Sequence, residues 1–525
     1  MTLAGFPTWR DRINNWQTVL ANTEWTPWLI IGLAAFLRFF LLDIKPPHFD
    51  EGINGWFVDQ MTKNGYYTYD PTNYHGPLHF YVLFLSQTLF GRNLWALRLP
   101  VVLVSITCVW LTLKYEPFVG RTVSRLAALA MAVSTGFVFY GRYSIHEVWL
   151  LFFSMAFIFG LLGLWKSGTA NYLWWTGIGL TGMVLTKETY IIHLGCAIIA
   201  AGVCYGSTFL SRIPYARPAR QTWNYYDLSF VIAVSVALII IFYSGTFYNL
   251  PEFSAAGMKE FWNTFTKVFR TWFATGQEGH GHEKPWDYWL KLMWRYEWPA
   301  SFGLILSLGA LRLKNVSLRY MAIYAVGTLM AYSIVSYKTP WCIISFIWPF
   351  LFIFGAATLI FPPLFQRGLQ VISAVLLCVS LGSSIWLNYF RCTTDTEPYV
   401  YVQTYNEINR FTEPVVTLAK RDPIYYQMTG HIIRGSSYPL PWILDDFPNI
   451  GYYEHDNSPT NFDADFLLVQ QDRIQEVEAK LQNSYYTTTI TIRPYQDTSR
   501  VYFNAKRFKD FFPGRVPDFA GKGQG

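Results

Sequence analysis

Apolar runs long enough to cross a bilayer recur along the first 390 residues, and no other feature constrains the fold so strongly. A spanning helix needs about 20 mostly apolar residues, because inside hydrocarbon every backbone N–H and C=O must be satisfied within the segment. Such runs fall at 27–43, 98–114, 122–140, 148–165, 173–186, 189–210, 228–247, 296–312, 320–336, 341–361 and 370–390. Only 14% of residues are charged and 52% are hydrophobic, where soluble domains carry about a quarter charged. Disorder, a fibrous repeat and a single soluble domain are excluded. The expectation is a polytopic all-α membrane domain over 1–390, with about 11–13 spans. Residues 391–525 read as an extramembrane α/β domain, with 466–470 a buried strand, 473–482 a charged helix and 485–492 a β-branched strand.

The charges set the orientation. The run 77–91 is short and bounded by His79 and Gly91. If it does not cross, Arg10, Arg12, Lys114, Arg121, Arg125, Lys166, Arg212, Arg217, Arg220, Arg312, Lys314, Arg319 and Arg367 share one side, which the positive-inside rule makes cytoplasmic. That gives eleven spans, an inner N-terminus and an extracytoplasmic C-terminal domain, with 77–91 in or re-entering the outer leaflet. The first run lacks a signal-peptide cleavage pattern and reads as a retained helix. A net charge of +7, spread over many loops without a basic tract, excludes nucleic acid as a partner. Six cysteines at irregular spacing (108, 196, 204, 342, 378 and 392) fit neither a disulfide framework nor a zinc site.

This threading gathers the unusual polar residues on the outer face. His48-Phe49-Asp50-Glu51 follows the first span directly. Asp50 there reads either as the cap of a helix running to about residue 63 or as a carboxylate general base at the mouth of an apolar cavity. Tyr74-His75-Gly76-Pro77 closes the loop, Gly-Pro breaking the chain before an apolar helix. Arg142 through His146-Glu147 forms the next outer loop, where Arg142 and Glu147 could simply pair. Arg142, Lys187 and Lys338 occupy outer helix ends; each alone could be a snorkelling side chain, but three on one face argue for an anion. Gln277 to Glu283 carries His280 and His282, a weak metal signal or a glycine-rich loop closing on phosphate.

Asp50-Glu51, Gly65-Tyr66-Tyr67, His75-Gly76-Pro77-Leu78, Phe90-Gly91-Arg92 and Arg98-Leu99-Pro100, in that order and spacing, resemble membrane glycosyltransferases of the GT-C superfamily, in particular the protein O-mannosyltransferase and aminoarabinose-transferase group. His75-Gly76-Pro77 and Tyr438-Pro439-Leu440-Pro441-Trp442 are similar to the prokaryotic flippase activity-associated family. The resemblance covers almost the whole chain. It implies a plasma-membrane enzyme that moves a sugar from a polyprenyl-phosphate donor, with inversion, onto a lipid, glycan or protein acceptor. Asp50 would be the base and Glu51 its neighbour. His75, Arg142, His146, Glu147, Lys187, His280, His282 and Lys338 would bind substrate. Many relatives carry Lys where this chain has His75, and Asp where it has His146-Glu147. No cofactor is specified, and a divalent metal stays open. A flippase or transporter would show broken midplane helices or repeat symmetry, which the sequence lacks; an assembly protein for lipid-linked glycans leaves the isolated carboxylates unexplained.

Overall fold

A computed structural model describes residues 16–70, 75–210, 218–248, 255–277, 282–455, 457–494 and 496–520. The chain divides into two compact units, Met1–Leu42 with Asn64–Arg391, and Asp43–Lys63 with Cys392–Gly525. The helix carrying the acidic pair thus belongs to the second unit, which a division at residue 390 does not anticipate.

The first unit is helical. Each of the eleven apolar runs lies on helix, among them Thr26–Phe39, Leu94–Lys114, Glu147–Ser167, Ala170–Val184, Tyr190–Leu210 and Val316–Ile334. Among the described residues, four helical stretches are both long and apolar enough to cross a membrane, and five more are apolar but shorter. Every residue of Ile343–Gly355 is buried, as expected of a helix that is hydrophobic all round and packed on all sides. Tyr225–Tyr243 is also long and apolar, yet among its residues only Val231 is buried; its outward apolar surface suits lipid. Leu78–Phe90 has 13 residues, or about 20 Å at 1.5 Å per residue, short of the roughly 30 Å hydrocarbon core.

The run 122–140 is two helices. Arg121–Val133 stops at Ser134, whose side chain caps Thr135–Tyr140. Glu297, fully buried, accepts from Ser134 Oγ and from Gly136 N at 2.6 Å. A carboxylate on that orphan amide and on the capping hydroxyl supports a helix start that hydropathy does not register.

The second unit is built on a six-stranded mixed sheet of order β2-β1-β3-β5-β4-β6. The strands are β1 (Gly430–Ile433), β2 (Ile450–Tyr453), β3 (Phe466–Gln470), β4 (Ser484–Ile490), β5 (Ser499–Asn504) and β6 (Phe519–Ala520). β1 is parallel to β2 and β3; β5 is antiparallel to β3 and β4. Both faces of β3 are covered. Phe466 and Leu468 pack with Phe411, Val415 and Leu418 of the Asn409–Arg421 helix, while Leu467 and Val469 pack with Val477 and Leu481. Period-2 alternation therefore gives a continuous apolar run. The charged helix expected over 473–482 is shorter, Ile474–Glu478.

Candidate active site

The ionisable groups of the first unit meet where two loops join. Gly76 N donates to Thr186 O at 3.0 Å and Leu78 N to Leu185 O at 3.1 Å. A Cβ on Gly76 would lie 2.2 Å from Leu185 O, so glycine is required by this close approach and does more than break the chain. The pairing carries His75 to Glu188, with Nδ1 3.1 Å from Oε2. His146, at the N-terminal end of Glu147–Ser167, has its ring centre 4.7 Å from His75 and 4.4 Å from His79. His79 is fully buried; its Nδ1 accepts from Trp149 Nε1 at 3.0 Å, which leaves the proton on Nε2, 3.4 Å from Ser144 Oγ. Lys187 pairs with Glu147, both nearly fully buried, and Cys342 Sγ lies 3.9 Å from the ammonium.

Burial pushes the His146 imidazole well below its ordinary range, and His79, His75 and Lys187 act the same way. Burial opposes the charge on Lys187 too, but Cys342 and the carboxylates of Glu147 and Glu188 outweigh it and hold the ammonium well above its usual pKa. This centre therefore keeps Lys187 charged and His146 neutral. Among the described residues, His146 Nε2 is buried without a hydrogen-bond partner. A neutral imidazole with a spare nitrogen can accept or relay a proton, and Lys187 can meet an anion if Glu147 yields it.

Two predicted phosphate ligands have other work. Arg142 is fully buried and donates to the carbonyls of Leu37, Phe40 and Leu41, at 3.1, 2.6 and 2.5 Å, and to Tyr389 Oη at 3.2 Å. It satisfies carbonyls at the C-terminal end of the Thr26–Phe39 helix, a structural role that these contacts give it. Lys338 donates to the carbonyls of Lys284 and Val335, and burial pushes its ammonium down. His282 adjoins the isolated bridge between Glu283 and Tyr337, its carbonyl accepting from Lys338 N at 3.0 Å and its ring 4.9 Å from Tyr337. His280 lies outside the described residues.

In the second unit, the acidic pair begins the Phe49–Asn64 helix. Gly52 and Gly55 lie one turn apart, and a Cβ on either would come within 2.6 Å of Pro439 or 2.4 Å of Trp442. The helix thus lies directly on the Pro439-Leu440-Pro441-Trp442 segment, with Lys63 Nζ 2.7 Å from Asp445 at its far end. At the near end, Arg493 stacks over Phe49 at 3.8 Å. Glu51 is fully buried and accepts from His48 N at 2.9 Å. That contact is one half of a capping box, so Glu51 supplies the capping carboxylate, which one of the two readings of Asp50 gives to Asp50. His48 Nδ1 accepts from Asp50 N at 3.1 Å, and Nε2 donates to Tyr401 O at 2.8 Å; burial pushes this imidazole down, against Asp50, the Tyr401 carbonyl and Glu51. The Asp50 side chain is one-third exposed. Among the described residues its oxygens accept no hydrogen bond; His48 Nδ1 lies 3.8 Å away, and the Arg493 guanidinium acts on the carboxylate electrostatically.

Among the described residues no group of three or more His, Cys, Asp or Glu side chains is arranged to hold a metal ion. His79, Cys342 and Glu297 escape a reading of loops alone because each lies on or beside an apolar run. His79 had one signal, its spacing of four from His75, about one helical turn.

Residues 74–242 match the family model described as dolichyl-phosphate-mannose-protein mannosyltransferase. In three dimensions the chain is similar to ArnT from Cupriavidus metallidurans bound to undecaprenyl phosphate, with TM-score 0.60, 14% identity, and 90% of this chain and 97% of that one covered. The apo state of the same protein gives 0.59 and 14%, covering 92% and 99%. The Archaeoglobus fulgidus oligosaccharyltransferase tethered with an acceptor peptide gives 0.50 and 12%, covering 93% and 74%. No curated protein matches the sequence significantly. The fold is that of the GT-C glycosyltransferases.

Proposed function

We propose that this chain, with its GT-C glycosyltransferase fold, transfers a sugar from a polyprenyl-phosphate-linked donor to an acceptor hydroxyl on the extracytoplasmic face of the membrane, with inversion. One observation carries the reading. Of two adjacent carboxylates, Glu51 is buried as a helix cap, while Asp50 is one-third exposed and its oxygens accept no hydrogen bond among the described residues. A general base needs this combination of fixed position and open lone pairs. The match to a mannosyltransferase model and the likeness to a protein bound to undecaprenyl phosphate support the donor class.

In the proposed reaction Asp50 takes the proton of the acceptor hydroxyl. The acceptor oxygen bonds to the anomeric carbon as the bond from that carbon to the phosphate oxygen breaks. Polyprenyl phosphate leaves with the electron pair, gaining negative charge. In the first unit, Lys187 is the cation we propose for a phosphate, exchanging Glu147 for it; such stabilisation acts where charge develops. His146, neutral beside this lysine, and His75, paired with Glu188, offer ring nitrogens as donors and acceptors, and the acceptor can be a lipid, a glycan or a protein.

The test is transfer from a synthetic polyprenyl-phosphate sugar by purified, folded variants. Asp50→Asn keeps size and should keep the helix, but loses the base, at a cost of about 10²–10⁴ in rate. Near-normal transfer by this variant overturns the assignment.

A further inference from the structure

The second unit contains a groove that the proposed chemistry does not use. It runs along the flank of the Asn409–Arg421 helix, with a volume of about 490 Å³, inside the roughly 300–1,000 Å³ typical of small-ligand clefts. Arg410 and Arg421, separated by three turns of helix, line it together with Arg515, Phe511 and Phe512. The Arg421 guanidinium lies 5.0 Å from the centre of the Phe511 ring, and that of Arg515 lies 5.6 Å from Phe512. Arg515 is also paired with Asp518. Arg410 and Arg421 make no ion pair among the described residues, and Glu413 is the sole acidic side chain in the lining.

Guanidinium stacked on a ring uses its face and leaves its N–H edge for an acceptor, and that planar fork matches carboxylate or phosphate in two parallel hydrogen bonds. Stacking also restricts the long side chain, so less entropy is lost when an anion binds. The hydroxyls of Thr417 and Thr488 add neutral donors and acceptors to the same wall. Anion-binding forks, half-buried aromatic rings and hydroxyls in one open groove are the chemistry of an acidic saccharide: charge for the forks, ring C–H faces for Phe511 and Phe512, hydroxyls for the threonines. Nucleic acid fits poorly, because Glu413, Asp422 and Asp518 interrupt the basic surface around the groove.

We propose that this groove binds an anionic glycan, a short saccharide carrying carboxylate or phosphate groups. The inference is separate from the transferase reading, since it concerns binding without any donor.

The experiment is titration of the full-length chain in detergent with tri-galacturonate, with mannose 6-phosphate, with the neutral trisaccharide maltotriose and with tri-glutamate. Tri-galacturonate or mannose 6-phosphate should bind, and whichever binds tighter identifies the acidic group. Arg421→Gln and Arg410→Gln should each weaken that binding about ten- to hundred-fold, as expected for one lost charge-assisted contact, while Glu413→Gln should tighten it. Both arginines are exposed, so their variants should melt with the wild type. Maltotriose should bind at least about tenfold more weakly. Equal affinity of wild type and both arginine variants for the acidic sugars overturns the proposal. Tri-glutamate binding as tightly as tri-galacturonate also overturns it, in favour of an acidic peptide.

Discussion

Asp50 and Glu51 differ by one methylene and one position, and the helix start gives them different work. Three residues past the N-cap, Glu51 can reach back to the His48 amide; Asp50, two past it, cannot close the same ring and stays one-third exposed. Glu51→Gln should keep a weaker version of that bond, destabilise the protein by about 1 kcal/mol and leave transfer largely intact, which thermal melting and the transfer assay separate. The buried Lys187–Glu147 pair offers a second test at this scale. Lys187→Met leaves Glu147 charged and unpaired in the interior, and breaking such a pair costs about 3–5 kcal/mol. Adding Glu147→Leu removes the stranded charge and should restore most of the stability. If Lys187 meets the leaving phosphate, the double variant will melt near wild type and still fail to transfer; restored transfer would make the lysine structural only. The sequence identifies these polar residues because apolar surroundings make them conspicuous. It does not distinguish Lys187 from Arg142, because the carbonyls that occupy Arg142 come from the end of another helix, about 100 positions away in the chain.

At the scale of elements, hydropathy locates helices and misses what joins them. All eleven apolar runs are helical, yet the break at Ser134 depends on Glu297, more than 160 residues later, and no local pattern encodes it. The loop carrying His75 is similar. Gly-Pro marks a chain break in any sequence, whereas the reason for glycine lies in the opposing backbone of Leu185. Gly76→Ala should therefore act at a distance. A methyl group 2.2 Å from a carbonyl oxygen forces the two loops apart and breaks the hydrogen bonds from Gly76 and Leu78. His75 then moves away from Glu188. We expect a drop of about 1–3 kcal/mol, as in other overpacked sites, with a larger loss of transfer than Ala substitution at Gly65, where a Cβ meets nothing within 4 Å and any cost comes from its positive φ. Equal effects at the two glycines would remove the close-packing argument.

For the whole molecule, composition separates an apolar part from a polar one near residue 390, but Asp43–Lys63 joins the later residues in space, because Gly52 and Gly55 fit that helix to Pro439 and Trp442. Such a joining is a long-range packing event, invisible to a running average. Each of the two units holds a buried imidazole with a lowered pKa, His146 in one and His48 in the other. The sign follows from proton linkage. In the unfolded chain both histidines titrate near 6.5, while in the folded protein they stay neutral to lower pH. The unfolded state therefore binds more protons as pH falls below about 6.5, and stability declines with it until the folded pKa values are passed. Lys187, His75 and His79 oppose a charge on His146; at His48, Asp50, the Tyr401 carbonyl and Glu51 favour one, but burial outweighs them, and Nδ1 must stay free of a proton to accept from Asp50 N. Melting temperature should thus fall steadily between pH 6.5 and 4.5. His146→Gln should flatten part of that decline and His48→Gln another part, each acting in its own unit. A melting temperature that holds constant over this range, or one that rises toward acid, would mean that the two imidazoles are charged in the folded protein and that the hydrogen-bond directions assigned to them are wrong.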